Sequence, residues 1–247
     1  MTTTASKIRD ARVEAAISHW APRFVANGVP LSDFQEVTSD LERWEEWLPA
    51  WSRRAAVHEQ LGRDALAVLD AAGARSAAVC GISIGGVTSI WLGQNASHRV
   101  SRLVLANTAA RIGTSEGWSA RMREVRAEGM RRAADLAMPR WFTADFLAKR
   151  PDVAARLHAI ACACPLESYI AACAALRDTD LRRDLHTIMT PTLVIAGSED
   201  PSTTVADGAW LRDNIPDAEM EVLEAAHLSN VERSVEFSNL LTDFLHS

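Results

Sequence analysis

No uninterrupted apolar run of about 18 residues occurs anywhere in the 247-residue chain, so no stretch is suited to cross a membrane as a helix. Residues 1–25 lack a continuous apolar core and carry Lys7, Arg9, Asp10, Arg12 and Glu14, which argues against a signal peptide and for a cytoplasmic location. Positive charge is also short: 26 Lys and Arg stand against 32 Asp and Glu, a net charge of -6. That balance argues against nucleic acid or an anionic membrane as a partner, while a local basic pocket for a small anionic substrate stays compatible with it. There are only four cysteines, Cys80, Cys162, Cys164 and Cys173, and they lack metal-ligand spacing. They are expected to be small buried hydrophobes, with no disulfide, no metal and no cofactor implied. The first 75 residues contain no strand signal.

What is present is one organising stretch, Cys80-Gly81-Ile82-Ser83-Ile84-Gly85-Gly86. Small apolar residues from Ser76 to Cys80 read as a buried parallel strand, and Val87, Ile90, Trp91 and Leu92 follow at helical spacing. A G-x-S-x-G pentapeptide at such a junction is a nucleophile elbow, with glycines 81 and 85 leaving room for backbone and the amide of Ile84 offered to an oxyanion.

Upstream, amphipathic helices are expected over residues 5–28, from Ser32 to before Pro49, and from about Trp51 to Ala72, the last with a stripe of Leu61, Ala65, Val68 and Leu69. From residue 76 strands and helices alternate, the signature of an α/β fold with a parallel sheet. Strands are predicted at Ala77–Cys80, Arg102–Ala106, Thr192–Ala196 and Met220–Leu223. Between the second and third lies a helical insertion, about Glu116 to Arg183, with Thr143 as an N-cap, Pro151 as a breaker and Pro165 opening a helix. It is far longer than a crossover needs and reads as a lid.

A serine hydroxyl needs a histidine to take its proton, and the histidine needs a carboxylate to orient it. Gly197-Ser198-Glu199-Asp200-Pro201 supplies an acid after the third strand, as either Glu199 or Asp200, and His227 follows the fourth. The order Ser, Asp, His along the chain is that of α/β-hydrolases, and all three fall at strand carboxyl ends.

From about Leu61 to the end the sequence resembles the 3-oxoadipate enol-lactonases of the α/β-hydrolase superfamily, on LGRDALAVLDAAG, CGISIGG, RLVLANTAARIG, RWFTADF, AACAALRDTDLR, TPTLVIAGSEDPSTT and AAHLSNVERS. The resemblance implies hydrolysis of a small anionic lactone or ester, with Ser83 as nucleophile, Asp200 as acid, His227 as base and the Ile84 amide as an oxyanion donor. Asp200 is preferred over Glu199 because Pro201 resembles the turn that presents the family's aspartate. Arg111, or Arg140 beside Trp141, is expected to meet the substrate carboxylate. Residues 1–60 depart from the family: they lack its early strands and its His-Gly dipeptide, and instead resemble the helical segment of 2,6-dihydroxypseudooxynicotine hydrolase-like α/β-hydrolases. The resulting expectation is a helical segment (1–60) before an α/β-hydrolase core (61–247) shortened to about four strands and short of an oxyanion donor. A weakly active or non-catalytic binding protein is therefore the competing reading. Dehalogenase or epoxide chemistry would need an aspartate where Ser83 stands. The strand bearing Ser83 becomes an edge, to be covered by the N-terminal helices or by a second copy in a homo-oligomer.

Overall fold

The computed structural model describes residues 57–247. Of the described residues, 65–75 fall in one compact unit and 57–64 with 76–247 in another. The helices expected over 5–28 and from Ser32, and the cover expected for the sheet edge, lie outside the described residues.

Helix α1 spans Val57–Ala71 and is closed by Gly73, whose φ of 65° belongs to the left-handed region, with Ala74 N–H donating to the Leu69 carbonyl at 2.9 Å. Its shielded face is centred on Gly62 and Leu69 rather than on Leu61. Val68, expected in the stripe, therefore falls outside the shielded face and is 58% exposed. A Cβ on Gly62 would meet ring atoms of Trp91 at 2.0–2.7 Å, so this ring lies directly on the α1 backbone.

All four expected strands form, each slightly longer than predicted: β1 Ala77–Ile82, β2 Val100–Ala106, β3 Thr192–Gly197 and β4 Glu219–Leu223. Among the described residues they make one sheet in the order β1-β2-β3-β4, and every neighbouring pair is parallel. Alternating side chains of a strand face opposite sides, and here each side finds a helix. Val104, Ala106, Leu193, Ile195 and Leu223 form a core with Phe237 and Phe244 of the C-terminal helix α9 (Ser234–His246). On the other side, α2 (Ile84–Asn95) brings Gly93 against Leu103 and Ile188. Helix α7 (Val205–Asn214) similarly brings Gly208 against Val194, Ala196 and Met220. Central β3 is buried along its whole length. β1 stands at one end of the order and is only partly covered, contrary to the expectation of a buried strand, and Ala78 and Cys80 are exposed. Cys162 and Cys164 are half-buried, so of the four cysteines only Cys173 is a core residue.

The insertion between β2 and β3 comprises α3 (Ser115–Trp141), α4 (Ala144–Lys149), α5 (Pro151–Cys162) and α6 (Leu166–Asp178). Helix α3 breaks at Gly129 (φ 81°, ψ 177°). Thr143 caps α4, its hydroxyl accepting from Phe146 N–H at 3.2 Å, and α6 starts directly after Pro165. Pro151 opens α5 at the first helical position instead of breaking a helix, because the first turn has no use for its missing N–H. Among the described residues no single helix is long and apolar enough to cross a membrane.

Truncating Ile195 in this core should be costly. Ile195→Ala is expected to lose about 2–5 kcal/mol in urea denaturation. Val222→Ala, at a side chain that is 47% exposed, is expected to shift the same curve by less than about 0.5 kcal/mol.

Candidate active site

Parallel strands all end on one side, so the four loops that follow them converge at one edge of the sheet. Ser83 follows β1, Asn107 follows β2, Asp200 follows β3 and His227 follows β4.

Ser83 has φ 55° and ψ -119°, a backbone state that a side-chain-bearing residue holds only when its surroundings enforce it. Its N–H donates to the carbonyls of Ala106 and Asn107, both at 3.1 Å. Its own carbonyl accepts from Val87 N–H at 3.1 Å and from the Thr108 hydroxyl at 2.7 Å. The space for this turn comes from Gly81, where a Cβ would lie 2.2 Å from the Gly85 carbonyl oxygen, and from Gly86, where it would strike the Thr108 side chain at 2.5 Å. Gly85 itself has open space around it among the described residues, so the room attributed to it belongs to Gly86. The amide of Ile84 opens α2 and donates to no acceptor among the described residues.

The Asp200 side chain is fully buried. Its Oδ1 accepts from the N–H groups of Ser202 at 2.8 Å and Thr203 at 3.1 Å. Its Oδ2 accepts from the Thr203 hydroxyl at 2.7 Å, the Asn107 amide at 3.1 Å and His227 Nδ1 at 2.8 Å. Burial works to raise this carboxyl, but the hydrogen bond and positive field of His227, with the bonds from Thr203 and Asn107, outweigh it and hold the group down at about 2. An ionised Asp200 fixes the imidazole proton on Nδ1 and leaves Nε2 as the basic nitrogen. Glu199, the alternative acid, is exposed. Ser83 Oγ and His227 Nε2 make no direct hydrogen bond among the described residues.

Asn107 was not singled out in the sequence, yet it joins the loops. Its backbone carbonyl receives Ser83 N–H, its side-chain N–H₂ donates to Asp200 and to the Ala226 carbonyl at 3.1 Å each, and its Oδ1 accepts from the Ser229 hydroxyl. The signal was a polar Asn107-Thr108 pair directly after the apolar run Leu103–Ala106 of β2. At φ 41°, Asn107 is in a conformation that asparagine tolerates better than most residues.

The histidine loop is also fastened to the insertion. His227 and Leu228 N–H donate to the carbonyls of Arg140 and Trp141 at 3.4 and 3.0 Å. The Glu232 carboxylate accepts from Ala226 N–H at 3.1 Å and from the N–H and hydroxyl of Thr143. Arg140 and Trp141 thus meet His227's loop through backbone, while the Arg140 side chain is exposed and unpaired among the described residues. Arg111 is elsewhere. It is exposed, ion-paired with Asp180 at 3.4 Å, and lines a groove of about 550 Å³ with Arg182, Asp207 and Trp210 that Ser83, Asp200 and His227 do not line.

A family model described as serine aminopeptidase, S33, matches residues 55–228 of this chain. The chain belongs to this family of α/β-hydrolases. It is similar to 3-oxoadipate enol-lactonase 2 of Acinetobacter baylyi, 42% identical over 181 residues that cover 73% of this chain and 68% of the relative. With 3-oxoadipate enol-lactonase 1 of the same organism it shares 39% identity over 189 residues, 76% of this chain and 71% of the relative. The crystal structure of an enol-lactonase from Burkholderia xenovorans matches with a TM-score of 0.76 at 39% identity, covering 77% of this chain and 73% of that one. The expected α/β-hydrolase fold and the likeness to enol-lactonases both stand, and the protein is a hydrolase of this fold. The likeness of residues 1–60 to pseudooxynicotine hydrolases falls almost wholly on residues that the structure does not describe.

Two outcomes follow for this hydrolase. Gly81→Ala is expected to be insoluble or destabilised by more than about 3 kcal/mol, because backbone blocks the methyl, whereas Gly85→Ala should melt within about 1 kcal/mol of the parent in denaturant titration. For Asp200 the folded carboxyl lies below its unfolded value of 3.8, so the stability it confers is full above that value and is lost as pH falls toward about 2. Thermal melts from pH 5 to pH 2 should therefore show a steep acid loss in the parent that is much reduced in Asp200→Asn.

Proposed function

We propose that this protein hydrolyses a carboxylic ester or lactone through a Ser83, His227 and Asp200 triad, with 3-oxoadipate enol-lactone as the foremost substrate. The observation that carries the reading is the 2.8 Å bond between His227 Nδ1 and a buried, fully satisfied Asp200, presented on the same sheet edge as the strained Ser83 turn. His227 Nε2 takes the Ser83 proton as Oγ attacks the carbonyl carbon, and the Ile84 amide receives the developing oxyanion. The C–O bond to the ring oxygen then breaks, leaving an acyl-serine, and the departing enolate takes the proton from the His227 imidazolium, which restores the neutral imidazole. An enolate departs readily, so little acid assistance is needed. Water deprotonated by His227 attacks the acyl carbon, Ser83 regains its proton, and a dicarboxylate is released. Nucleophile, base and acid are all side chains of this chain, and the scheme calls on no cofactor. The substrate class comes from the enol-lactonase relatives, whose likeness runs through the insertion as well as the sheet. A cytoplasmic site of action fits the same reading.

A serine-reactive fluorophosphonate should label the parent and leave Ser83→Ala unlabelled. Ser83→Ala and His227→Ala should each lower turnover on the enol-lactone or an aryl acetate by about 1000-fold or more, and the double variant little further, since the pair acts as one unit. Substantial activity remaining in Ser83→Ala would overturn the mechanism.

A further inference from the structure

Three chemistry-bearing side chains meet in the insertion, where helices α3 and α5 pack together. His158 and Cys162 stand one turn apart on α5, and Asp135 comes from α3. His158 Nε2–H donates to Asp135 Oδ1 at 2.6 Å. The Cys162 sulfur lies 3.7 Å from Nδ1 and 3.9 Å from Nε2 of the same ring. An ionised carboxylate can only accept, so Asp135 fixes the ring proton on Nε2 and leaves the lone pair on Nδ1, the nitrogen closer to the sulfur. A nucleophile, a base and an acid that orients the base are thereby placed in series.

None of these residues takes part in the network around Ser83, Asp200 and His227. A cysteine that serves as a core hydrophobe has the setting of Cys173, buried with Met122 and Ile170. Cys162 and His158 are instead half-buried and Asp135 is exposed, which leaves the thiol within reach of small solutes. Cys164 is the internal contrast. It is half-buried like Cys162 and only two residues further on, but its thiol donates to the Pro165 carbonyl at 3.7 Å and meets no imidazole among the described residues.

We propose that Cys162 is a site of oxidation by hydrogen peroxide, activated by His158 and Asp135. Nδ1 takes the thiol proton, and the sulfur attacks one peroxide oxygen. The S–O bond forms as the O–O bond breaks, the sulfur is oxidised by two electrons, and the departing hydroxide takes the imidazolium proton and leaves as water. Cys162 ends as a sulfenic acid and His158 returns to its starting form. Hydrogen peroxide suits the site on two counts. It is small and uncharged, so it reaches a half-buried sulfur near a carboxylate, and its leaving group needs the proton that the imidazolium holds beside the sulfur. The site stands apart from the hydrolytic reading of Ser83.

The test is a competition within one molecule. The full chain is treated with hydrogen peroxide in the presence of dimedone, which traps sulfenic acids, and the adducts on Cys80, Cys162 and Cys164 are followed over time by peptide mass spectrometry. A positioned base supplies about 100-fold or more in a closed active site, and at this half-exposed one Cys162 should be labelled about 10-fold faster than Cys164. Ranking by exposure alone would put Cys80 first. His158→Gln should bring Cys162 down to the Cys164 rate. Asp135→Asn should lower it by less, because the amide oxygen still accepts from Nε2. A general loosening of the insertion would speed both neighbouring cysteines together, so the ratio of Cys162 to Cys164 is the readout. Equal labelling of the two in the parent, or an unchanged ratio in His158→Gln, would overturn the proposal.

Discussion

The carboxylate of Asp200 is a charge withdrawn from water, and much of the candidate site consists of the donors that this withdrawal demands. Its own loop supplies two amides and a hydroxyl, from Ser202 and Thr203, while the loop after β2 supplies the Asn107 amide and the loop after β4 the His227 imidazole. Its own loop reaches both oxygens, and the other two loops add the remaining donors to Oδ2. The full set of donors is therefore complete only when β2, β3 and β4 lie side by side, which ties the carboxylate's hydrogen bonding to assembly of the sheet. The same carboxylate, when ionised, fixes the His227 proton on the nitrogen that faces it.

Much of this was legible in the chain because it is local. The elbow is a five-residue pattern, the strands are short apolar runs, and the order Ser83, Asp200, His227 can be read without coordinates. Thr143 and Pro165 were visible for the same reason, since caps and helix starts depend on a few neighbours. What could not be read depends on partners far apart in sequence. Asn107 looks like an ordinary polar residue closing a strand until Asp200, Ala226 and Ser229 are placed around it. Gly86, rather than Gly85, provides clearance because Thr108 folds over it. Cys80 alternates with residues that look equally apolar, and its exposure follows from the end position of β1 in the strand order.

Arginines show the same limit more sharply. Sequence chemistry calls for a cation to meet an anionic substrate and offers several, and composition cannot rank them. Structure separates them: Arg111 is already paired with Asp180, in a groove that Ser83, Asp200 and His227 do not line.

The Glu232 carboxylate holds Ala226 on one side and Thr143 on the other, and the carbonyls of Arg140 and Trp141 hold the two residues beyond. The far end of α3 and the histidine loop are thus welded into a single body. Any motion of the insertion that admits a ligand must either carry His227 away from Ser83 or bend upstream of that weld. Helix α3 has one articulation there, Gly129, where the helical backbone is interrupted by a conformation open only to glycine. The two helical stretches on either side of Gly129 are therefore held by different partners: the first, with Trp118 and Met122, packs on α6, and the second is tied to the histidine loop.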